Sequence, residues 1–466
     1  MQNAPDADVI VVGGGISGLA CAWGLQRRGA NVRLIESAPR AGGCIATVRR
    51  QGYLLEAGPN SALDTCPRVA CLLDELGIAA ERVDANPAAR NRYVVRNGVP
   101  IALPMSPLAF LTSPLFSAAA KLRLFGEPFI SRGSAADESV AAFVRRRLGG
   151  EFLDYAINPF VGGVYAGRPE ELSVRAAFPR LYELEQQYGS LIRGQVLGAR
   201  SRARESQKSK HTASMFSFRG GMETVTSAMA RQLRHVELNA AVSGIAADGG
   251  GFALSVDSAG TRRTLRAPAV VMAVPAYAAA PLIRPLLPAA AAALQGVPYP
   301  PVAVVYCGFH RNAVGHPLDG FGMLVPQCEG RRILGSIFSS TLFEQRAQTG
   351  QVLLTTFVGG SRQPELVGLE DDELAALVRT ALVNLLGASS APDFCEVRRW
   401  RQAIPQYTLG HGARMDVLND AEGAMPGMFF CANYRGGISI SDCIQSADRV
   451  ATAGHTFLGR SAAIGG

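Results

Sequence analysis

The chain lacks the marks of several common function classes. Its nine cysteines contain no C-x-x-C and its six histidines no H-x-x-x-H. The cysteines are scattered from Cys21 to Cys443, with Cys66 and Cys71 the closest pair. They read as buried free thiols of a reducing cytoplasm, not as a zinc site or a disulfide framework. No metal site is expected. Lysine is scarce, and arginine supplies nearly all of the basic charge. No internal repeat is evident, and no apolar run is long and unbroken enough to span a bilayer. Pro268 to Leu294 carries only Arg284 as a charge, but Pro268, Pro275, Pro281, Pro285 and Pro288 interrupt it. Ile101 to Arg132 is broken by Pro104, Pro107, Pro114 and Pro128 and carries Lys121 and Arg123.

What is present is a 466-residue chain, 48% apolar, enough for two or three domains with a sizeable core. A net charge of +8 suits anionic partners without choosing between lipid, nucleic acid and acidic small molecules. Between Arg193 and His211, Arg200, Arg202, Arg204, Lys208 and Lys210 face Glu205 alone. This reads as an exposed linker, and without interleaved aromatics it speaks against nucleic-acid binding. Leu108, Phe110, Leu111, Leu115, Phe116, Leu122, Leu124 and Phe125 lie among few acids. Periodicity does not separate a membrane-facing layer from a core-facing one here. A helix expected near Glu138 places Val140, Phe143, Val144 and Leu148 on one face and turns Arg145, Arg146 and Arg147 toward solvent or lipid. The first strand begins within a few residues of Met1, so no signal or transit peptide is expected.

The N-terminal stretch is more specific. Asp8 to Val12 reads as a buried parallel strand, Gly13-Gly14-Gly15-Ile16-Ser17-Gly18 follows at once, and a helical pattern runs to Gly29. Asn31 to Ile35 is a second strand with Glu36 and Ser37 at its end. In such a βαβ unit Gly13 allows the tight turn, Gly15 lets backbone approach a pyrophosphate, and Gly18 packs helix on strand. The helix N-terminus offers N–H groups to phosphates, and Glu36 can hold ribose hydroxyls. Arg40-Ala41-Gly42-Gly43 and Gly58-Pro59 again mark close backbone approach. At the far end, Gly427 to Asn433 reads as a short strand, followed by Gly436-Gly437-Ile438-Ser439 opening a helix from Ser441 to Ala453. The middle segment from Phe216 to Val274, including Val242, reads as helix, antiparallel strands and a strand returning to the nucleotide sheet.

Further motifs run along nearly the whole chain: Asn91-Arg92-Tyr93; Asn158-Pro159-Phe160-Val161-Gly162-Gly163-Val164-Tyr165-Ala166-Gly167; Gly320 to Pro326; Phe357 to Ser361; Ile404 to His411; and Asp442-Cys443-Ile444. Taken together these resemble the oxygen-dependent protoporphyrinogen oxidase family of flavoproteins. The resemblance implies an α/β fold of the amine oxidase type with non-covalent FAD and three parts. These are a Rossmann-like FAD domain (1–88, 212–275 and 412–466), a mixed-sheet substrate domain (89–100 and 276–411) and a helical membrane-associated domain (101–211). Gly13, Gly15, Ile16, Ser17, Gly18, Glu36, Ser37, Arg40, Gly42, Gly43, Gly58, Pro59, Val242, Gly436, Ile438 and Ser439 then hold the cofactor. Cys44 stands where many relatives carry Arg or Lys, so a charge contact to the cofactor at that position is in doubt.

The implied reaction is six-electron oxidation of protoporphyrinogen IX by O₂, giving peroxide. The flavin accepts hydride, so no catalytic side chain and no metal are expected. The resemblance makes Arg92 the propionate-binding cation, makes Leu324, Ile337 and Phe357 apolar walls, and puts Gly163 and Val164 on the flavin side, with Met323 beside the pocket. It implies attachment to the inner face of the cell membrane from the cytoplasm, with a homodimer and hand-off to ferrochelatase as open readings. The rivals are coproporphyrinogen III oxidation, a flavin amine oxidase, and an FAD-free escort of prenylated GTPases.

Overall fold

Four consecutive apolar residues, Val-Ile-Val-Val, favour a strand buried on both faces, and Val9–Val12 occupies the middle of a five-stranded sheet. The computed structural model describes residues 5–133, 135–202 and 214–464. The sheet order is Val236–Glu237, Val32–Ile35, Val9–Val12, Ala269–Met272 and Met428–Phe430, all parallel. Its strands therefore come from three stretches distant in sequence.

Helices Ile16–Arg27 and Ile440–Ile464 pack together over one face of this sheet. Small residues permit the close approach: a Cβ on Gly24 would lie 2.9 Å from the Ala451 Cβ. The other face carries the antiparallel strands Ala240–Asp248, Gly251–Ser258 and Thr261–Ala267, and helices Ala276–Ile283 and Pro288–Gln295. The proline-interrupted stretch from Pro268 is thus a core layer. Among the described residues no helix is long and apolar enough to cross a membrane.

A second, seven-stranded mixed sheet has the order Phe394–Trp400, Val302–His310, Gln351–Gly359, Gly335–Phe338, Gly320–Leu324, Asn91–Arg96 and Val99–Ala102. Helix Asp371–Leu386 covers one of its faces. The opposite face meets a helical layer that includes Val140–Arg147, Asn158–Tyr165 and Pro179–Tyr188.

Three expectations need correction. Arg147 does not face solvent or lipid: it is 0% exposed and bonded to two carboxylates, Nε to Glu185 Oε1 at 2.6 Å and Nη1 to Glu127 Oε1 at 3.2 Å. Arg146 bonds Glu138 and Glu185, and a buried guanidinium needs such partners. The basic stretch from Arg193 is not all linker either, because Leu191–Arg202 is helical; the remainder, 203–213, lies outside the described residues. The cysteines, finally, divide. Cys21, Cys66, Cys307, Cys431 and Cys443 are buried, whereas Cys44, Cys71, Cys328 and Cys395 are exposed.

Candidate functional site

The glycine loop between Val12 and Ile16 has the geometry that its sequence requires. Gly13 is at φ +107°, where a Cβ would meet Val274 Cγ1 at 2.7 Å. A Cβ on Gly18 would lie 1.9 Å from the Gly13 carbonyl oxygen, so only glycine lets the helix start this close to the strand. Gly15 differs: a Cβ there would meet nothing within 4 Å, and its backbone (φ −72°, ψ 178°) suits any residue. It also forms the N-cap of helix Ile16–Arg27 without any side-chain cap, which leaves the first-turn N–H groups of Ile16, Ser17 and Gly18 to point past it.

The Arg40–Gly43 turn folds against this loop. Gly42 N donates to Gly14 O at 2.7 Å, and a Cβ on Gly43 would come 3.1 Å from Gly15 Cα. Arg40 clamps its own turn, donating to the carbonyls of Ala41, Gly43 and Ile45. Glu36 accepts from Gly14 N at 2.6 Å and Ala38 N at 2.7 Å, with Ser37 Oγ 3.3 Å away. A carboxylate has about four acceptor sites, so ribose hydroxyls still find lone pairs there. The chain leading to Val242 runs alongside, with Ala240 N donating to Glu36 O and Asn239 N to Ala38 O. Gly58, followed by Pro59, packs on the Cys44 backbone, 2.4 Å from its oxygen for a Cβ. Cys44 is solvent-accessible, yet burial raises its thiol above the ordinary value. Both hold if it faces an interior cleft instead of the outer surface.

The C-terminal turn lies beside the same loop. Cys431 Sγ is 3.8 Å from Ser17 O, and Cys443 Sγ is 3.9 Å from Gly437 O. Gly436 and Gly437 take φ +86° and +121°, and Ser439 Oγ caps the following helix by accepting from Asp442 N. Two helix N-termini are therefore neighbours. Uncapped N–H groups, an open glycine and an acid at the second strand fit a dinucleotide.

One part of this cradle carried no assigned role in the sequence. Tyr407 donates its hydroxyl to Asn433 O at 2.7 Å and accepts from Gly437 N at 3.0 Å, which fixes the turn. His411 stacks on Tyr407 with centroids 4.2 Å apart, and its Nε2–H donates to Tyr434 O at 3.0 Å. Burial pushes the His411 pKa down to about 4. Tyr407 and His411 lie within the Ile404–His411 motif, but their partners are distant in sequence and carry no local signal.

The substrate-wall residues fall on the seven-stranded sheet. Register pairs Gly322 with both Arg92 and Ile337, and pairs Gly335 with both Leu324 and Phe357. Side chains alternate along strands, so Arg92, Leu324, Ile337 and Phe357 all emerge on the face opposite helix Asp371–Leu386. Met323, expected beside them, lies on the other face, buried in the helix-covered core. Gly163 approaches Leu324 so closely that a Cβ would be 2.4 Å from Leu324 Cδ2, and Val164 follows, exposed. Arg362 seats this helix, donating to Val325 O, Asn158 O and Asn158 Oδ1, and a Cβ on Gly162 would collide with it.

A cavity of about 490 Å³ opens at the Arg92 end, lined by Arg90, Arg92, Met105, Met215, Phe321 and Leu342, among others. Neither Arg90 nor Arg92 meets a carboxylate among the described residues. Of the six expected substrate contacts only Arg92 lines this cavity. Ile337 packs behind it with Phe321 and Met215, whereas Leu324, Gly163 and Phe357 lie further along the sheet.

Residues 16–453 match the family model described as flavin containing amine oxidoreductase. The chain is 34% identical, over 95% of its length and 92% of the relative's, to protoporphyrinogen oxidase 2, chloroplastic/mitochondrial, of Arabidopsis thaliana. It is 28% identical to coproporphyrinogen III oxidase of Bacillus subtilis (strain 168), over 97% of this chain and 98% of that one. A crystal structure from Exiguobacterium sp. 255-15 superposes with a TM-score of 0.79 at 23% identity, covering 96% of this chain and 98% of that one.

Proposed function

Because this chain belongs to the flavin containing amine oxidoreductases and groups with the protoporphyrinogen oxidases among them, we propose that it oxidises protoporphyrinogen IX to protoporphyrin IX in haem biosynthesis. The acceptor is O₂, and peroxide is released. The observation that carries the substrate reading is the single sheet face bearing Arg92, Leu324, Ile337 and Phe357 beneath Gly163. A cation beside apolar walls suits a flexible, largely apolar tetrapyrrole with propionates at one edge.

In this reading the stretches 1–88, 212–275 and 412–466 form the FAD domain. Gly13, Gly15, Ile16, Ser17, Gly18, Gly42, Gly43 and the Gly436–Ser439 turn contact the phosphates and ring, while Glu36 holds the ribose and Val242 flanks the base. The chemistry supplied by bound FAD is acceptance of two electrons at a time as hydride and their delivery to O₂. The protein's part is placement. Arg92 anchors a propionate. Leu324, Ile337 and Phe357 exclude water, and the absence of side chains at Gly163 and Gly335 leaves the room that the Leu324 side chain occupies.

Coproporphyrinogen III is the second reading, favoured by Arg90. This is a second guanidinium at the same cavity without a carboxylate partner among the described residues, suited to a substrate with more carboxylates. A porphyrin-fluorescence assay in air, with both porphyrinogens side by side and spontaneous oxidation subtracted, decides. Preference for protoporphyrinogen is expected. Preference for coproporphyrinogen moves the chain to the second reading, and inactivity of a yellow protein on both overturns the substrate altogether.

Peripheral attachment to a membrane belongs to the same proposal. Met105 is exposed on the loop before Pro107–Thr112, and Leu108, Leu111, Leu122, Phe125 and Phe129 are exposed on the short helices that follow. An apolar cluster of this kind marks an interaction surface.

A further inference from the structure

Away from the site, strands Val302–His310 and Phe394–Trp400 form one edge of the seven-stranded sheet, and their antiparallel register sets Cys307 directly opposite Cys395. Opposed residues on such strands point to the same face, with Cα atoms about 4.5–5.5 Å apart. A disulfide spans Cα separations of about 4.4–6.8 Å, so this pair needs no backbone movement to close. The partners are unequal. Cys307 is buried in the core beneath helix Asp371–Leu386, and Cys395 is exposed on the edge strand.

We propose that Cys395 and Cys307 are a peroxide-responsive dithiol that closes to a disulfide across the sheet edge. The Cys395 thiolate attacks hydrogen peroxide, the O–O bond breaks, and hydroxide leaves to give the sulfenic acid. The Cys307 sulfur then attacks the Cys395 sulfur and displaces its hydroxyl, which departs as water with the Cys307 proton. Two thiols lose two electrons, and one peroxide becomes two waters. The arrangement favours the first step: hydrogen bonding from Cys307 holds the Cys395 thiol below its ordinary value, against burial and the nearby Asp371 and Asp372. The bond would tie the edge strand to Val302–His310, whose Val304 is paired with Phe357 on the next strand. The proposed oxidase reaction would supply peroxide locally, but the chemistry does not depend on that source.

The test adds the oxidant directly. Reduced holoenzyme is exposed to graded hydrogen peroxide, remaining thiols are alkylated, and tryptic peptides are mapped by mass spectrometry. Cleavage at the intervening arginines puts the two thiols in separate peptides, so a cross-linked pair is unambiguous. The expected product joins Cys307 to Cys395 and is reversed by dithiothreitol. Cys395→Ser should abolish it, and Cys307→Ala should leave a Cys395 sulfenic acid that dimedone traps. If Cys307→Ala does not fold, the wild-type map and Cys395→Ser suffice. The inference is overturned if Cys71 and Cys328 oxidise while Cys395 stays alkylatable. It is equally overturned if Cys395 oxidises or bridges another molecule while Cys307 remains a free thiol. An active oxidase without the cross-link sinks only this inference; a cross-link in an inactive protein sinks only the substrate reading.

Discussion

Arg92 and His411 show how much single side chains decide. Arg92 lines the cavity without a carboxylate partner among the described residues, so its removal leaves no orphaned acid behind. Arg92→Ala should therefore fold normally and weaken substrate by about 1.5–3 kcal/mol, the range for a charge-assisted bond. Steady-state kinetics should show KM rising more than kcat falls, and an unchanged KM removes Arg92 from the site. His411 acts through others. It is buried and neutral, with a folded pKa of about 4 against an ordinary 6.5. Between those values the unfolded chain binds the extra proton, so stability is lost as pH falls from about 6.5 to 4, by about 3 kcal/mol in all. Thermal midpoints measured across that range should fall more steeply for the wild type than for His411→Gln, which keeps an N–H for Tyr434 O and cannot titrate. Parallel curves would mean that His411 is not held neutral.

Among elements, the helix that opens at Ile16 separates folding from binding. At Gly18 an added methyl would overlap the Gly13 carbonyl, so Gly18→Ala should destabilise the protein by about 1–3 kcal/mol through overpacking. At Gly15 an added Cβ meets no protein atom within 4 Å and no backbone strain. Gly15→Val should keep its circular dichroism and thermal transition without flavin, yet lose most of its flavin absorbance after desalting; full flavin retention would show that the loop is not the cradle. The strand–loop–helix unit was legible in sequence because each of its constraints is local: four buried apolar residues, then glycines at fixed offsets. Arg147 was misread from its charge: it lies four residues after Phe143, so helical periodicity puts it on the buried face with Val140, Phe143 and Val144. What the sequence did not show were its partners, Glu127 and Glu185, which lie 20 and 38 residues away. Only tertiary structure brings them together. Met323 is a different case: as the strand neighbour of Leu324 it must point to the opposite face, so alternation alone separates it from the wall residues.

The assembled molecule divides the stretch between 101 and 132 into a core-facing part and an exposed part. Leu115 and Phe116 are buried, Phe116 stacks on Phe152 at 4.3 Å, and Phe110 packs beside them. Leu108, Leu111, Leu122, Phe125 and Phe129 point outward, the last two 72% and 83% exposed. Arg193 sits over the Phe129 ring, which puts a cation at the rim of the patch. An apolar centre with a basic rim fits an anionic bilayer surface, and the chain's net charge of +8 has the same sign. Flotation with phosphatidylglycerol-containing vesicles should recover the wild type with the lipid, more weakly at high salt. Burying a phenylalanine is worth about 1.5–3 kcal/mol, so the double variant Phe125→Glu, Phe129→Glu should lower partitioning at least about tenfold. Detergent-solubilised substrate should still turn over normally, because neither residue lines the cavity. Equal flotation of wild type and variant would assign the patch to a protein partner or to none, and a parallel loss of turnover would place it in the substrate path instead.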